Sequence, residues 1–134
     1  MSATRSFEPF ARSLLRIVAG FTFSLHGMQK VLGLFGGMGG NGGAASFGSL
    51  IWIAGGLELI GGVLLILGLF SSPVAFILSG EMAVAYFRAH FSHGFFPLVN
   101  HGELAVLYCF IFLYLSAAGA GPLSLDAVAR NKPD

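Results

Sequence analysis

The sequence has 134 residues, of which 55% are hydrophobic and only 10% are charged, and its mean hydropathy is +0.82. A soluble domain carries about a quarter of charged residues, so this composition excludes an ordinary soluble protein and predicts an integral membrane protein. A formal net charge of +1 also excludes the strongly basic surface that nucleic-acid binding requires.

The single cysteine, Cys109, lies inside the last apolar run of the chain. One thiol cannot form an intramolecular disulfide or a CxxC pair, so dithiol chemistry within one chain is excluded. The length fits a single domain that covers residues 1–134.

The first apolar segment covers residues 10–34 and predicts a membrane-spanning helix. Arg16 and Lys30 bracket its apolar centre, which is by itself too short to cross a bilayer. We therefore expect Arg16 to extend its side chain to one membrane surface and Lys30 to lie within the membrane zone. No small-x-small cleavage motif follows promptly, so the segment is interpreted as an uncleaved helix rather than a signal peptide.

Three more helices are predicted at residues 49–70, 73–91 and 102–118. The glycine-rich residues 36–48 and the aromatic residues 92–100 are expected to be loops outside the membrane core. A Ser-Ser-Pro turn at Ser71–Pro73 joins the second and third helices so briefly that they must be antiparallel neighbours. Glycine and proline end the fourth helix, and a short polar tail follows.

The apolar runs are continuous rather than alternating, which favours helices over the strands of a barrel. The sequence thus predicts an all-α membrane protein, an antiparallel bundle of four transmembrane helices. Only Lys30 and Arg88 lie near one end of this bundle, and the other positive charges lie near the termini: Arg5, Arg12, Arg16, Arg130 and Lys132. By the positive-inside rule, both termini are cytoplasmic in a multi-pass protein of the cell (inner) membrane.

Ionisable side chains gather in the outer half of the predicted bundle. Glu81 and Arg88 lie seven residues apart, which is about two helical turns, so they share a face. Glycines one turn on either side of Glu58 let another helix approach, so Glu58 should point into the bundle. An unpaired charge at a helix centre costs about 2.5 to 3.5 kcal/mol, so we expect these groups to converge in a polar pocket open to the outside. The candidate ligand-binding residues are His26, Lys30, Glu58, Glu81, Arg88 and Glu103.

Each of these features also has a purely structural interpretation. Glu81 and Arg88 can form an ion pair that only fixes the packing of the helices. At least two of Glu58, Glu81 and Arg88 are expected to be paired inside the bundle. His26 can be a hydrogen-bonded interior histidine.

Histidines near the third and fourth helices suggest a second kind of site. His90, His93 and His101 have side chains suited to zinc or another divalent ion, but their spacing is a weak signal and no metal is predicted. Aromatic residues in the same region are interpreted as anchors at the membrane interface, with a hydrophobic path for a quinone as the alternative: Phe91, Phe95 and Phe96.

Short motifs of glycine and charged residues recur along nearly the whole chain. In order they are Arg16-x-x-x-Gly20, His26-Gly27-x-x-Lys30, Gly56-x-Glu58-x-x-Gly61-Gly62, Gly80-Glu81-Met82, Asn100-x-Gly102-Glu103 and Gly119-x-Gly121-Pro122-x-Ser124-x-Asp126. In these motifs the chain resembles the DoxX family of small bacterial and archaeal membrane proteins.

The resemblance implies a four-helix membrane protein and an oxidoreductase label, because a namesake of the family is similar to a subunit of a thiosulfate:quinone oxidoreductase. It transfers no catalytic residue to this chain. The family residue between Asn100 and Gly102 is often glycine, whereas this chain has His101.

Three functions from different classes stay open. The first is a membrane subunit of a redox complex that binds a quinone or a small sulfur oxyanion. In such a subunit, Lys30 and Arg88 would attract the anion, and Glu81 or His26 would accept or donate protons. The second is a non-enzymatic binder or transporter of a small solute, and the third is a membrane scaffold for a partner protein.

The sequence contains no recognisable cofactor motif and a single cysteine. We therefore expect no intrinsic cofactor, with a quinone as the candidate carrier, and no turnover by the isolated chain. Besides the lipid bilayer, the expected partners are another protein or further copies of the same chain, and nucleic acid is not among them.

Overall fold

The computed structural model describes residues 3–131, with side chains from residue 5 onward, and is all-α over that range. Lys132, which the charge pattern groups with the termini, lies outside the described residues. The helices are α1 (Ala3–Leu32), α2 (Leu50–Leu67), α3 (Ser71–Ala85), α4 (Pro97–Asn100), α5 (Glu103–Ala118) and α6 (Leu125–Arg130). A π-helical segment, Tyr86–His90, continues α3 and is followed by a 3-10 turn at Phe91–His93.

Each of the four segments predicted to be helical overlaps one of the long helices α1, α2, α3 and α5, although α1 and α3 begin before their predicted segments. Helix α1 packs mainly on α2, and α3 packs mainly on α5, with further contacts between α2 and α3 and between α1 and α5. The core between them is built from large apolar side chains: Phe23, Leu65, Leu78, Phe112 and Leu115.

Within the described residues, α2 is the helix that is by itself long and apolar enough to cross a membrane, with 18 residues and a mean hydropathy of 2.3. Helix α5 is apolar but shorter. Helix α3 has 15 residues before the π-helical segment begins. The outward faces of these helices carry large exposed apolar side chains, such as Ile60, Phe76 and Phe110, and such a surface favours an apolar surrounding.

Reciprocal glycines bring α1 and α2 into backbone contact. A Cβ atom added at Gly20 would lie 2.8 Å from the carbonyl oxygen of Gly62, and one added at Gly27 would lie 2.6 Å from that of Gly55. Only glycine permits this approach, because any side chain would overlap the facing main chain. Glu58 lies between the two glycines of α2 and is buried at this interface.

The reversal between α2 and α3 falls one turn earlier than the sequence suggests. Ser71–Pro73 was predicted to be the turn, but these residues form the first turn of α3. The chain reverses at Gly68 and Phe70, which both have positive φ angles, 68° and 51°. Pro73 still lies in the first helical turn, where its missing N–H costs no hydrogen bond.

Asp126 ties the C-terminal tail to this reversal. Its two carboxylate oxygens accept hydrogen bonds from the backbone N–H groups of Phe70 and Ser71, both at 2.9 Å. Burial by itself raises the pKa of Asp126, but these donors and the charge of Arg130 outweigh it and hold the pKa below its usual value. The tail therefore caps α3 with a negative charge at the helix N-terminus.

Arg16 corrects the sequence prediction, because its side chain does not extend to a membrane surface. The residue is completely buried, and its guanidinium donates hydrogen bonds to four main-chain carbonyls. Two of them, Leu65 and Ile66, end α2, and the other two, Ala120 and Leu123, belong to the tail. Arg16 thus satisfies carbonyls that the end of a helix leaves without partners.

At the opposite end of the bundle, Asn100 organises the loop before α5. Its Nδ2 donates to the carbonyl of Gly94 (2.7 Å) and to the hydroxyl of Tyr86 (3.1 Å), and its Oδ1 accepts from the N–H of Gly102 (2.8 Å). The next residue, His101, has a φ of 59°. This left-handed conformation is the one that glycine adopts most readily.

Candidate functional site

Lys30 of α1 and Glu58 of α2 form an ion pair inside the bundle. The Lys30 Nζ lies 2.5 Å from Glu58 Oε1, and the side chain of Glu58 is only 2% exposed, compared with 25% for Lys30. The predicted burial of Glu58 is therefore confirmed. Its partner is Lys30, not Glu81 or Arg88, so the expected pairing among Glu58, Glu81 and Arg88 is wrong.

Glu81 of α3 lies next to this pair without joining it. Both of its carboxylate oxygens are buried, and neither has a hydrogen-bond partner among the described residues. The same holds for Glu58 Oε2. Glu81 is nevertheless close enough to interact electrostatically with Glu58 and Lys30. Three carboxylate oxygens with unused acceptor capacity thus share this region, which is costly in a buried position.

His26 completes the group on α1, one helical turn before Lys30. It interacts electrostatically with Glu58, and its ring lies edge-on to that of Tyr108 with the centroids 6.2 Å apart. The Tyr108 hydroxyl in turn donates to Thr22 Oγ1 at 2.7 Å. We call His26, Lys30, Glu58 and Glu81 the buried cluster, and four of the six predicted ligand-binding residues belong to it.

Arg88 and Glu103 do not belong to the buried cluster. Both are exposed. Arg88 lies in the π-helical segment, whose wider turns rotate the following residues away from the α-helical register, so seven residues no longer return to the face of Glu81. Glu103 is the first residue of α5 and is exposed to the surroundings of the bundle. Its negative charge interacts favourably with the N-terminal end of the helix dipole.

The three histidines considered for a metal do not converge. His90 is hydrogen-bonded through Nδ1 to the carbonyl of Asn100 at 3.0 Å, His93 is exposed beside Ser92, and His101 is exposed. Within residues 3–131, no three His, Cys, Asp or Glu side chains come together in a group that could hold a metal ion.

The cluster is buried on its acidic side, whereas the side chain of Lys30 is 25% exposed. The expected opening of the cluster to the outside stays a prediction. Two surface grooves lie away from the cluster residues. One is lined by Pro97, Glu103, Val106 and Leu107, and the other lies at the opposite end, around Ser71 and Asp126. Gly27 and Gly55 pack the two helices tightly beside the Lys30–Glu58 pair, so little space remains there.

The charges of the cluster decide which ligands it can attract. Lys30 is neutralised by Glu58, and Glu81 adds a second acid. Since Arg88 lies outside, the cluster has no net positive charge with which to hold an anion. It offers instead a carboxyl group that can accept or donate a proton in a region shielded from water.

An all-α bundle with an apolar exterior and charges buried between its helices defines the class of small helical membrane proteins. The chain belongs to the DoxX family, whose model matches residues 11–91. This matched region contains Arg16 and all four residues of the buried cluster.

Two relatives cover most of the chain. An uncharacterized protein of Haemophilus influenzae is 45% identical over 129 residues, which is 94% of this chain and 96% of that protein. A Bacillus subtilis protein named "Putative oxidoreductase CatD" is 30% identical over 128 residues, 91% of this chain and 88% of that protein. No solved structure matches the chain with significance.

Proposed function

We propose that this chain is the membrane subunit of an oxidoreductase and that a quinone is the ligand served by the buried cluster. The observation that carries the proposal is Glu81, whose buried carboxyl has no hydrogen-bond partner within residues 5–131 and lies beside a neutralised ion pair. Quinone reduction consumes protons as well as electrons, and a buried acid is suited to deliver them. The oxidoreductase name of the Bacillus subtilis relative supports the same class of reaction.

Between the two ligands suggested by the sequence, the geometry favours a quinone over a small sulfur oxyanion. An oxyanion needs an unneutralised cation, and Lys30 is already paired with Glu58. A quinone head group is uncharged and offers oxygen atoms that accept hydrogen bonds. Lys30 and a protonated Glu81 are both donors to such oxygens.

A bound quinone would serve as the electron carrier, for which the sequence contains no recognisable cofactor motif. The electrons then come from a partner protein, because Cys109 is the single cysteine of the sequence. In this proposal, Glu81 gives its proton to the ligand oxygen and must take up another proton before the next turnover, because Lys30 is already paired with Glu58.

Binding of a quinone analogue to the purified protein in detergent provides the test. Titration with a short-chain analogue is expected to give saturable binding, with an affinity about two- to tenfold lower in Glu81→Ala, which removes the donor, since a neutral hydrogen bond contributes about 0.5 to 1.5 kcal/mol. The exposed Glu103 provides the matched control, and Glu103→Ala should bind as the wild type does. The isolated chain should not reduce the analogue with thiosulfate or another sulfur donor.

Two results would count against this proposal. If the Glu81 and Glu103 variants bind the analogue with equal affinity, Glu81 does not contact the ligand. Saturable thiosulfate binding that is lost in Lys30→Met would replace the quinone by the oxyanion.

The buried acid Glu81 also favours a second function, a proton-coupled carrier of a small solute. Ionisable side chains buried between membrane helices commonly belong to pathways for solutes or protons. Proteoliposomes with a pH-sensitive dye inside distinguish the two functions. Solute-dependent acidification that is lost in Glu81→Gln favours the carrier, and its absence together with quinone binding favours the redox subunit.

The proposed arrangement in the membrane has four spans, formed by α1, α2, α5 and α3 with its π-helical continuation, and both termini in the cytoplasm. The distribution of positive charge supports it, since Arg12 and Arg130 lie at one end of the bundle and Arg88 at the other.

Reporter fusions test this topology. A cytoplasmic reporter is expected to be active when fused after Asp134, and a periplasmic reporter when inserted within Gly39–Gly43 of the loop between α1 and α2. A periplasmic reporter that is active at the C-terminus would reverse the orientation.

A further inference from the structure

We infer that Glu81 carries an exchangeable proton in the resting protein and that the Lys30–Glu58 pair is what keeps it there. The inference concerns the same buried cluster and deepens the proposed function by naming its proton donor. Its test, however, needs no quinone.

The argument begins with a count of charges. Lys30 is the cation that acts on both carboxyl groups, and it is bonded to Glu58. If Glu58 and Glu81 were both ionised, two negative charges would share one positive charge at membrane depth. One proton restores neutrality, because an unpaired charge at a helix centre costs about 2.5 to 3.5 kcal/mol.

The contacts decide which of the two acids holds that proton. Glu58 Oε1 accepts a close hydrogen bond from the Lys30 ammonium, which stabilises the ionised form of Glu58. Neither oxygen of Glu81 has a hydrogen-bond partner among the described residues, so nothing there stabilises an ionised Glu81. The proton therefore resides on Glu81.

The groups on the surrounding helices leave this assignment unchanged. On α1, His26 acts on Glu58. On α5, the Tyr108 hydroxyl donates to Thr22, Cys109 lies beside Ser79, and Glu103 is exposed at the helix start. Arg88, on the continuation of α3 itself, is exposed as well. Glu58 and Lys30 are thus the charges that govern Glu81.

The same geometry gives the pair a control function. If Glu58 loses its charge, Lys30 is free to bond Glu81, and Glu81 then releases its proton to water. If Lys30 is removed, Glu58 loses its partner and must take up a proton too. In proton transfer to a ligand, the O–H bond of Glu81 breaks and an O–H bond forms on the ligand oxygen, with the electrons supplied by a partner redox protein.

Infrared spectroscopy tests this directly, because a protonated carboxyl shows a carbonyl band that a carboxylate lacks and that shifts in deuterated water. We expect such a band at neutral pH in the full-length protein, purified in a detergent without ester groups. Glu81→Gln should abolish it, and the control Glu103→Gln should retain it. Glu58→Gln should also abolish it although Glu81 is intact, and Lys30→Met should roughly double it.

The inference is overturned if the wild type lacks the band at neutral pH, if Glu81→Gln retains it, or if Lys30→Met leaves its intensity unchanged. Circular dichroism checks that each variant is folded. If Glu81→Gln does not fold, Glu81→Asp replaces it, and the band should then shift in frequency. If the expected bands appear but no quinone binds, the inference holds and the proposed function is contradicted. If a quinone binds but the bands are missing, the proposed function is supported and the inference is overturned.

Discussion

Arg16→Ala is expected to destabilise the protein by more than about 3 kcal/mol, since breaking a buried charged network typically costs about 3 to 5 kcal/mol. The change removes hydrogen bonds to the carbonyls of Leu65, Ile66, Ala120 and Leu123. Each acceptor that stays buried without a donor costs about 1 to 3 kcal/mol. The contact between α2 and the C-terminal tail is lost with them.

The measurement is unfolding of the purified variants in mixed detergent micelles, followed by loss of helical signal. Arg130→Ala is the control, because Arg130 is exposed, and its effect should stay within about 0.5 kcal/mol. Arg16→Lys should fall between the two, since lysine keeps the charge but lacks the planar fork of donors. Equal stabilities of the Arg16→Ala and Arg130→Ala variants would show that the buried guanidinium does not hold the bundle together.

Gly27→Ala is expected to cost about 2 kcal/mol or more, toward the upper part of the about 1 to 3 kcal/mol typical of overpacking. The new methyl carbon would lie 2.4 Å from the backbone nitrogen of Leu59 and 2.6 Å from the carbonyl oxygen of Gly55. Main-chain atoms of a packed helix cannot give way as a side chain does, so α1 and α2 must separate. The same separation should lengthen the contact between Lys30 and Glu58.

Gly56 provides the matched control for this experiment. It lies in α2, next to Gly55, and a Cβ atom added there meets nothing within 4 Å. Gly56→Ala should stabilise the protein by about 0.5 to 1 kcal/mol, because alanine favours a helix interior over glycine. If both variants unfold at the same detergent concentration, the close approach of α1 and α2 is not what limits stability.

Local patterns were sufficient to predict the interior position of Glu58. Glycines at one-turn spacing around it mark the face on which another helix approaches closely, and the structure places Gly27 of α1 there. The free-energy cost of an unpaired charge in a membrane also predicted that Lys30 and Glu58 come together, as they do in the ion pair. Such inferences depend on residues within a few turns of one another, which a sequence displays directly.

Arg16 could not be predicted in the same way. A cation near the start of an apolar helix normally reaches a membrane surface, and its actual acceptors lie 49 to 107 residues farther along the chain. Backbone carbonyls also have no residue-type signature. The position of Arg88 was predicted wrongly for a different reason. The π-helical segment changes the number of residues per turn, and no sequence pattern indicated this segment.

The attachment of the tail to Arg16 bears on how the protein is made. Helix α1 emerges from the ribosome long before Ala120 is synthesised, because Ala120 lies 104 residues beyond Arg16. During most of translation, the arginine of the first helix therefore lacks half of its final acceptors. The full set of acceptors forms only after Ala120 and Leu123 have been synthesised, so a chain cut after Ala118 would lack half of the hydrogen bonds of the Arg16 guanidinium.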